Sequence, residues 1–152
     1  VDVLRSDKLR FDADKLFSEL DGNIYGRRFA RYILLKLDYL YKNQDQRMNF
    51  ETISIEHILP QNPSNDSQWK KDFSEDEREM FTDKIGNLVL ISRKKNASQG
   101  RLDYKDKKEK YFKTNIDNSP NSLRILQEPI WDVATLQRNQ KTCLEKLKSH
   151  YK

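Results

Sequence analysis

Over most of this chain apolar residues recur every three or four positions, the spacing of one helix face, and only two short stretches break that rhythm. Residues 1–21 mix charge with Leu4, Leu9, Phe11, Leu16, Phe17 and Leu20, the later part at helical spacing, and Asp21-Gly22-Asn23 ends it with turn chemistry. A clearer helix follows, with Phe29, Ile33, Leu37, Leu40 and Tyr41 on one stripe and Arg27, Arg28, Arg31, Lys36 and Lys42 around the rest of the wheel. Those arginines suit either a solvated face or a nucleic-acid backbone. Residues 43–49 are polar and read as a loop. Phe50 to Ile58 is the first break: it is rich in β-branched residues, with Ile53 and Ile55 facing one way and Thr52 and Ser54 the other, which predicts a strand. Pro60 and Pro63 stop it, because proline has no N–H to give to a ladder.

Ser74-Glu75-Asp76-Glu77 has the spacing of a capping box and predicts a helix running to about Lys84. Gly86 marks a turn or a close approach, and Leu88 to Ile91 is the second break, a short apolar strand suited to pair with the first. Ser92 is placed to cap a short helix across Arg93 to Gln99, ended by Gly100. Asp103 can cap another, along which Tyr104, Lys108, Tyr111, Phe112 and Ile116 are spaced. Ser119-Pro120 starts a short helix that ends near Pro129. Asp132 starts the last one, with Trp131 and Leu136 in the two positions of a hydrophobic staple and a stripe from Val133 through Gln140, Cys143, Leu144 and Leu147 to Tyr151. One β-hairpin among about six helices makes an α+β fold, mostly α-helical.

Composition narrows this picture. At 152 residues the chain fits one domain, with a compact unit at about 50–100 and a helical surround at 1–49 and 101–152. Hydrophobic residues are 36% and charged residues 35%, yet seven Tyr, seven Phe and two Trp supply the bulk for a core. Lys and Arg outnumber Asp and Glu by 29 to 24, and the resulting net charge of +5 favours a polyanionic partner. The single Cys143 excludes a disulfide within the chain and any multi-cysteine zinc site, and its helical register predicts a buried thiol. No run approaches the roughly 20 apolar residues of a membrane span, which excludes a helical membrane protein. With no signal peptide and a first residue of Val1, the expectation is a cytoplasmic chain that forms part of a longer protein.

Candidate chemistry gathers between Ile53 and Gln99. Glu56 and His57 stand at the end of the first strand, Asn87 at the start of the second, and Asn96 nine positions after Asn87. Phosphodiester hydrolysis needs an activated water and an anchor for the phosphate oxygens; a neutral imidazole can take the proton near neutral pH, and an oxygen-ligated Mg²⁺-class cation can hold the phosphate. Glu56 and the side-chain carbonyl of Asn96 are oxygen donors, His57 is the imidazole, and Asn87 is placed to orient the loop that carries His57. Taken singly, a Glu-His pair or a Gly-Asn-Leu turn is ordinary. The other histidine, His150, lies in the C-terminal fringe.

Together, Glu56-His57-Ile58-Leu59-Pro60, Gly86-Asn87-Leu88 and Asn96 resemble the HNH, or ββα-metal (His-Me finger), nuclease pattern. The likeness extends to Ile24-Tyr25-Gly26-Arg27-Arg28, to Ser54 through Gln61, to Ile85 through Leu90, to Asn96-Ala97-Ser98, to the Lys107-Lys108 segment, and to Trp131 with Arg138 and Leu144. Over about residues 24–151 the chain resembles the C-terminal nuclease domain of GmrSD-like, modification-dependent (type IV) restriction enzymes. The resemblance implies a metal-dependent DNA endonuclease acting in phage defence. Glu56 and Asn96 would hold Mg²⁺ or Mn²⁺, His57 would deprotonate the attacking water, and Asn87 would hold the hairpin loop. Gln61, Ser98 and Lys107 or Lys108 would supply phosphate or outer contacts. A nucleotide-hydrolysing domain or subunit would precede the nuclease domain, foreign or modified DNA would be the substrate, and an oligomer is one way to supply the two sites that cutting both strands needs. The alternative is a module of the same fold that binds nucleic acid without cleaving it.

Basic residues flank Asn96. Arg93, Lys94, Lys95 and Arg101, with Ser98, are expected on phosphates, and Lys107 and Lys108 are further candidates among residues 105–110, most of which read as a solvated face. The insert of about thirty residues between His57 and Asn87 is expected to decorate the fold rather than select substrate. One geometric question stands: neighbours in a strand point to opposite faces, so Glu56 and His57 meet on one phosphate only if the strand ends or twists there.

Overall fold

The two breaks in helical rhythm pair with each other. In the computed structural model, which describes residues 12–42, 53–92, 100–113 and 119–151, β1 (Ile53–His57) runs antiparallel to β2 (Leu88–Ser92). The register sets Ile55 opposite Leu90, Glu56 opposite Val89 and His57 opposite Leu88. Around this ribbon stand α1 (Ala13–Asp21), α2 (Ala30–Tyr41), α3 (Gln68–Asp72), α4 (Glu75–Phe81), α5 (Tyr104–Lys113), α6 (Pro120–Leu126) and α7 (Val133–His150). The fold is α+β and mostly helical, as the pattern predicts. Among the described residues no helix is long and apolar enough to cross a membrane.

The pleat sorts the core into two halves. Val89 and Ile91 face one way, into a cluster with Trp69, Tyr104, Ile125 and Trp131; Leu88 and Leu90 face the other, against Leu34, Leu37, Cys143 and Leu147. Helices therefore cover both faces of a two-stranded ribbon that could not bury itself. Cys143 is fully buried, and burial pushes its thiol up to about 11, so it is an inert core residue at neutral pH.

Local signals set several boundaries. Ser74 and Glu77 form the reciprocal capping box at the start of α4, and the Asp132 carboxylate accepts the Thr135 N–H at the start of α7. Gly86 is a close-approach glycine: a Cβ there would lie 2.6 Å from the Gln140 Cα. The 3-10 turn Ile85–Asn87 is accordingly bolted to α7, with the Gly86 N–H donating to Gln140 Oε1 at 2.7 Å and Asn139 Nδ2 donating to the Gly86 carbonyl at 2.5 Å. This places Asn87.

Other expectations shift. Helix α4 ends at Phe81, short of Lys84, because the chain turns there into the 3-10 segment. The short α3 has no helical stripe of its own, and its first N–H, on Gln68, is capped by the Asp103 carboxylate at 3.0 Å from 35 residues away. The Ser119 side chain makes no bond to its own helix; its hydroxyl donates to Asp38, whose carboxylate also accepts the Asn121 N–H at 2.9 Å. The segment 1–11, the loop 43–49, the start of the first strand before Ile53, the helix across Arg93 to Gln99 and the turn towards Ile116 lie outside the described residues.

Candidate functional site

The site is built where β1 gives out. Pro60 ends the ladder, and the two residues before it are held by Asn87. The Leu59 N–H donates to Asn87 Oδ1 at 2.8 Å, while Asn87 Nδ2 donates to the carbonyls of Leu59 at 2.9 Å and Thr82 at 2.8 Å. The Ile58 N–H adds a bond to the Asn87 carbonyl at 3.0 Å. Asn87 is fully buried, and its amide ties the chain that follows His57 to the segment just after α4.

His57 sits in this clasp, only 8% exposed. Its Nε2 lies 2.9 Å from Asp83 Oδ1, the same oxygen that accepts from Gln61 Nε2 at 3.0 Å. The Tyr25 ring meets the imidazole edge-on with centroids 4.4 Å apart. A carboxylate accepts and does not donate, so its partner nitrogen Nε2 carries the hydrogen and Nδ1 the lone pair. Burial lowers the pKa of His57, Asp83 opposes that shift and the Lys107 charge adds to it, leaving the ring neutral at pH 7. Asp83 also accepts the N–H groups of Ile24 and Tyr25 through its carbonyl, at 2.9 and 3.2 Å. The insert therefore does more than decorate the fold: its last residues position the histidine and the tyrosine against it.

Glu56 turns the other way. It shares a face with Val89, and its Oε1 accepts from Lys107 Nζ at 2.6 Å. The same ammonium donates to the His57 carbonyl at 2.6 Å. Lys107 is fully buried and Glu56 is 7% exposed. Burial raises the Glu56 pKa and lowers that of Lys107, each against the pull of the other's charge. Glu56 and His57 thus leave the ribbon on opposite faces, joined through the lysine and the backbone rather than through a shared open space.

The remaining expected residues divide into three groups. Asn96, Arg93, Lys94, Lys95 and Ser98 lie outside the described residues. Arg101 is exposed and lines a polar cleft of about 570 Å³ with Gln61, Arg78 and Asp83, directly beside the partners of His57. Lys107 points inward to Glu56, and Lys108, half-buried, donates through Nζ to the Glu128 carbonyl at 2.7 Å, so both ammonium groups are bonded within the protein. Among the described residues no three His, Cys, Asp or Glu side chains gather as a cation site. Glu56, the one described donor assigned to a metal, is closed by Lys107, and the described residues alone do not fit a divalent ion.

Residues 10–146 match the family of GmrSD restriction endonucleases, C-terminal domain. The chain belongs to this family. No curated protein and no solved structure matches it. In this GmrSD-type domain the residues that sequence reasoning missed are Asp83, Tyr25 as a partner of His57, and Lys107 as a partner of Glu56. Asp83 carries no local signal, since it follows a capped helix and meets His57 from 26 positions away. Lys107 did carry one: it falls three after Tyr104 and four before Tyr111, on the apolar side of its helix.

Proposed function

We propose that this domain is an HNH-type endonuclease that hydrolyses DNA phosphodiester bonds in the restriction of foreign or modified DNA, with His57 as its general base. The observation that carries the reading is the neutral His57 held through Nε2 by Asp83 at the end of β1. With that nitrogen committed, Nδ1 takes the proton of the attacking water, and Asp83 stabilises the imidazolium that forms. Asn87 keeps the loop after the histidine in register with β2, so the ring cannot drift from the scissile phosphate. The Lys107 ammonium, held by Glu56 and the His57 carbonyl, fixes the same backbone from the other face.

A requirement for Mg²⁺ or Mn²⁺ belongs to the proposal as a quantity to be measured by chelation. The Lys107 ammonium occupies Glu56 Oε1, so a cation at this carboxylate competes with the lysine. The proposal also includes action alongside an N-terminal nucleotide-hydrolysing domain or subunit, and assembly into an oligomer for double-strand cutting. Supercoiled plasmid incubated with the protein, its His57→Ala variant and each with EDTA tests the reading. Cleavage by the parent alone supports it. The Lys107 bond to Glu56 favours a second reading, a module that binds nucleic acid without cutting; salt-sensitive binding with no nicking in any metal would establish that one instead.

A further inference from the structure

A second cleft of about 500 Å³ opens between β1 and the start of α2, lined in part by Tyr25, the ring that packs on His57. One wall is Ser54 and Ile55, the strand residues just before Glu56 and His57; the other is Tyr25 with Arg27, Arg28 and Arg31. All three arginines are exposed, and among the described residues no carboxylate pairs with any of them. The first turn of α2 holds no acidic residue, although the positive end of a helix favours carboxylates over guanidinium groups. The backbone that carries them is fixed. Gly26, at φ +78°, takes the left-handed turn that brings Arg27 N–H back to the Ile24 carbonyl at 3.0 Å. That turn is tied on to the Asp83 carbonyl, and Tyr25 packs on the imidazole itself. The backbone that bears the arginines therefore lies one ring contact from His57, while Lys107 is spent inside the protein on Glu56 and the His57 carbonyl.

Guanidinium forks match pairs of phosphate oxygens, and an arginine-lined cleft with an exposed tyrosine is suited to a sugar–phosphate strand. We infer that the Arg27–Arg28–Arg31 cleft grips the phosphodiester backbone of duplex DNA next to the bond presented to His57, an inference that rests on the nuclease reading above. Each phosphate neutralised contributes a slope of about −0.9 to the dependence of log affinity on log salt. Three contacts give about −2.7, or roughly a fortyfold steeper loss of affinity for a fourfold rise in salt.

The test uses a fluorescein-labelled duplex and the full chain in the cleavage-defective His57→Ala background, with anisotropy read from 50 to 200 mM salt. The variant Arg27→Ala/Arg28→Ala/Arg31→Ala should lose about 2.7 from the slope. An equal charge removal on α7, Lys141→Ala/Lys146→Ala/Lys148→Ala, should change it far less. Circular dichroism reports folding; should the triple arginine variant not fold, Arg28→Glu replaces it, with an expected slope loss of about one or more. An unchanged slope in the arginine variant, or an equal loss in both triples, overturns the inference and leaves the nuclease reading standing. Absence of binding by the parent background at 50 mM salt overturns both.

Discussion

Replacing Lys107 by methionine removes one charge and keeps the length of the chain in its slot. The carboxylate of Glu56 then stays on the floor of the core with no cation, beside a His57 carbonyl that has also lost its donor. Breaking a buried pair in this way costs about 3–5 kcal/mol. The cost depends on pH. Burial already raises the Glu56 pKa with Lys107 in place, and both the charge and the hydrogen bond that oppose the rise disappear with the lysine. An acid whose folded-state pKa is raised binds protons in the folded state that the unfolded state has released, so stability falls as pH rises. The variant should approach the parent below the usual glutamate range and fall progressively behind above it. For a chain of this size about 2–4 °C accompanies each kcal/mol, which makes the deficit at pH 8 roughly 6–20 °C in Tm. Thermal unfolding followed by circular dichroism at pH 4.5, 6 and 8 measures it. The double variant Lys107→Met/Glu56→Gln should recover much of the loss, because no unpaired charge remains. A single variant as stable as the parent at pH 8, or a deficit that shrinks as pH rises, would refute the reasoning.

Two further outcomes follow from the same structure. Asp38 is 2% exposed and burial pushes its pKa up to about 6 from 3.8, so its contribution to stability is present below pH 4 and lost between about pH 4 and 6, a swing of about 3 kcal/mol. Asp38→Asn should lie level with or above the parent at pH 7, and its stability should gain on the parent's across that window; parallel curves would sink the assignment. Asp83→Asn should lower kcat for DNA cleavage roughly a hundredfold by loosening the His57 tautomer, with KM and Tm little changed. A fall in Tm that accounts for the lost activity would reduce Asp83 to a structural residue.

What the chain discloses locally, it discloses well. Alternation gave β1, an apolar run gave β2, Ser74 and Asp132 gave two helix starts, and Gly86 announced the tight approach to Gln140. Each of these is decided within a few residues by backbone geometry. The site is decided at a distance. His57 reaches Asp83 across 26 positions, Glu56 reaches Lys107 across 51, and Asp38 reaches Asn121 across 83. A titratable residue shows its type in the sequence, and Lys107 its place on the apolar side of α5, but not the partner it will meet, so the bond to Glu56 is legible only once α5 packs on the ribbon. The opposite facing of Glu56 and His57 was legible from the pleat alone, and the structure keeps it.

On the proposed mechanism His57, held by Asp83, takes a proton from water during phosphodiester hydrolysis. Single-turnover cleavage of supercoiled plasmid by the parent and by His57→Ala tests it most directly, with both proteins at matched Tm and with Mg²⁺, Mn²⁺ or EDTA present. The expected result is nicked or linear product from the parent with a divalent ion, none with EDTA, and a rate for His57→Ala lower by about 10²–10⁴. Equal cleavage by the two proteins would contradict it.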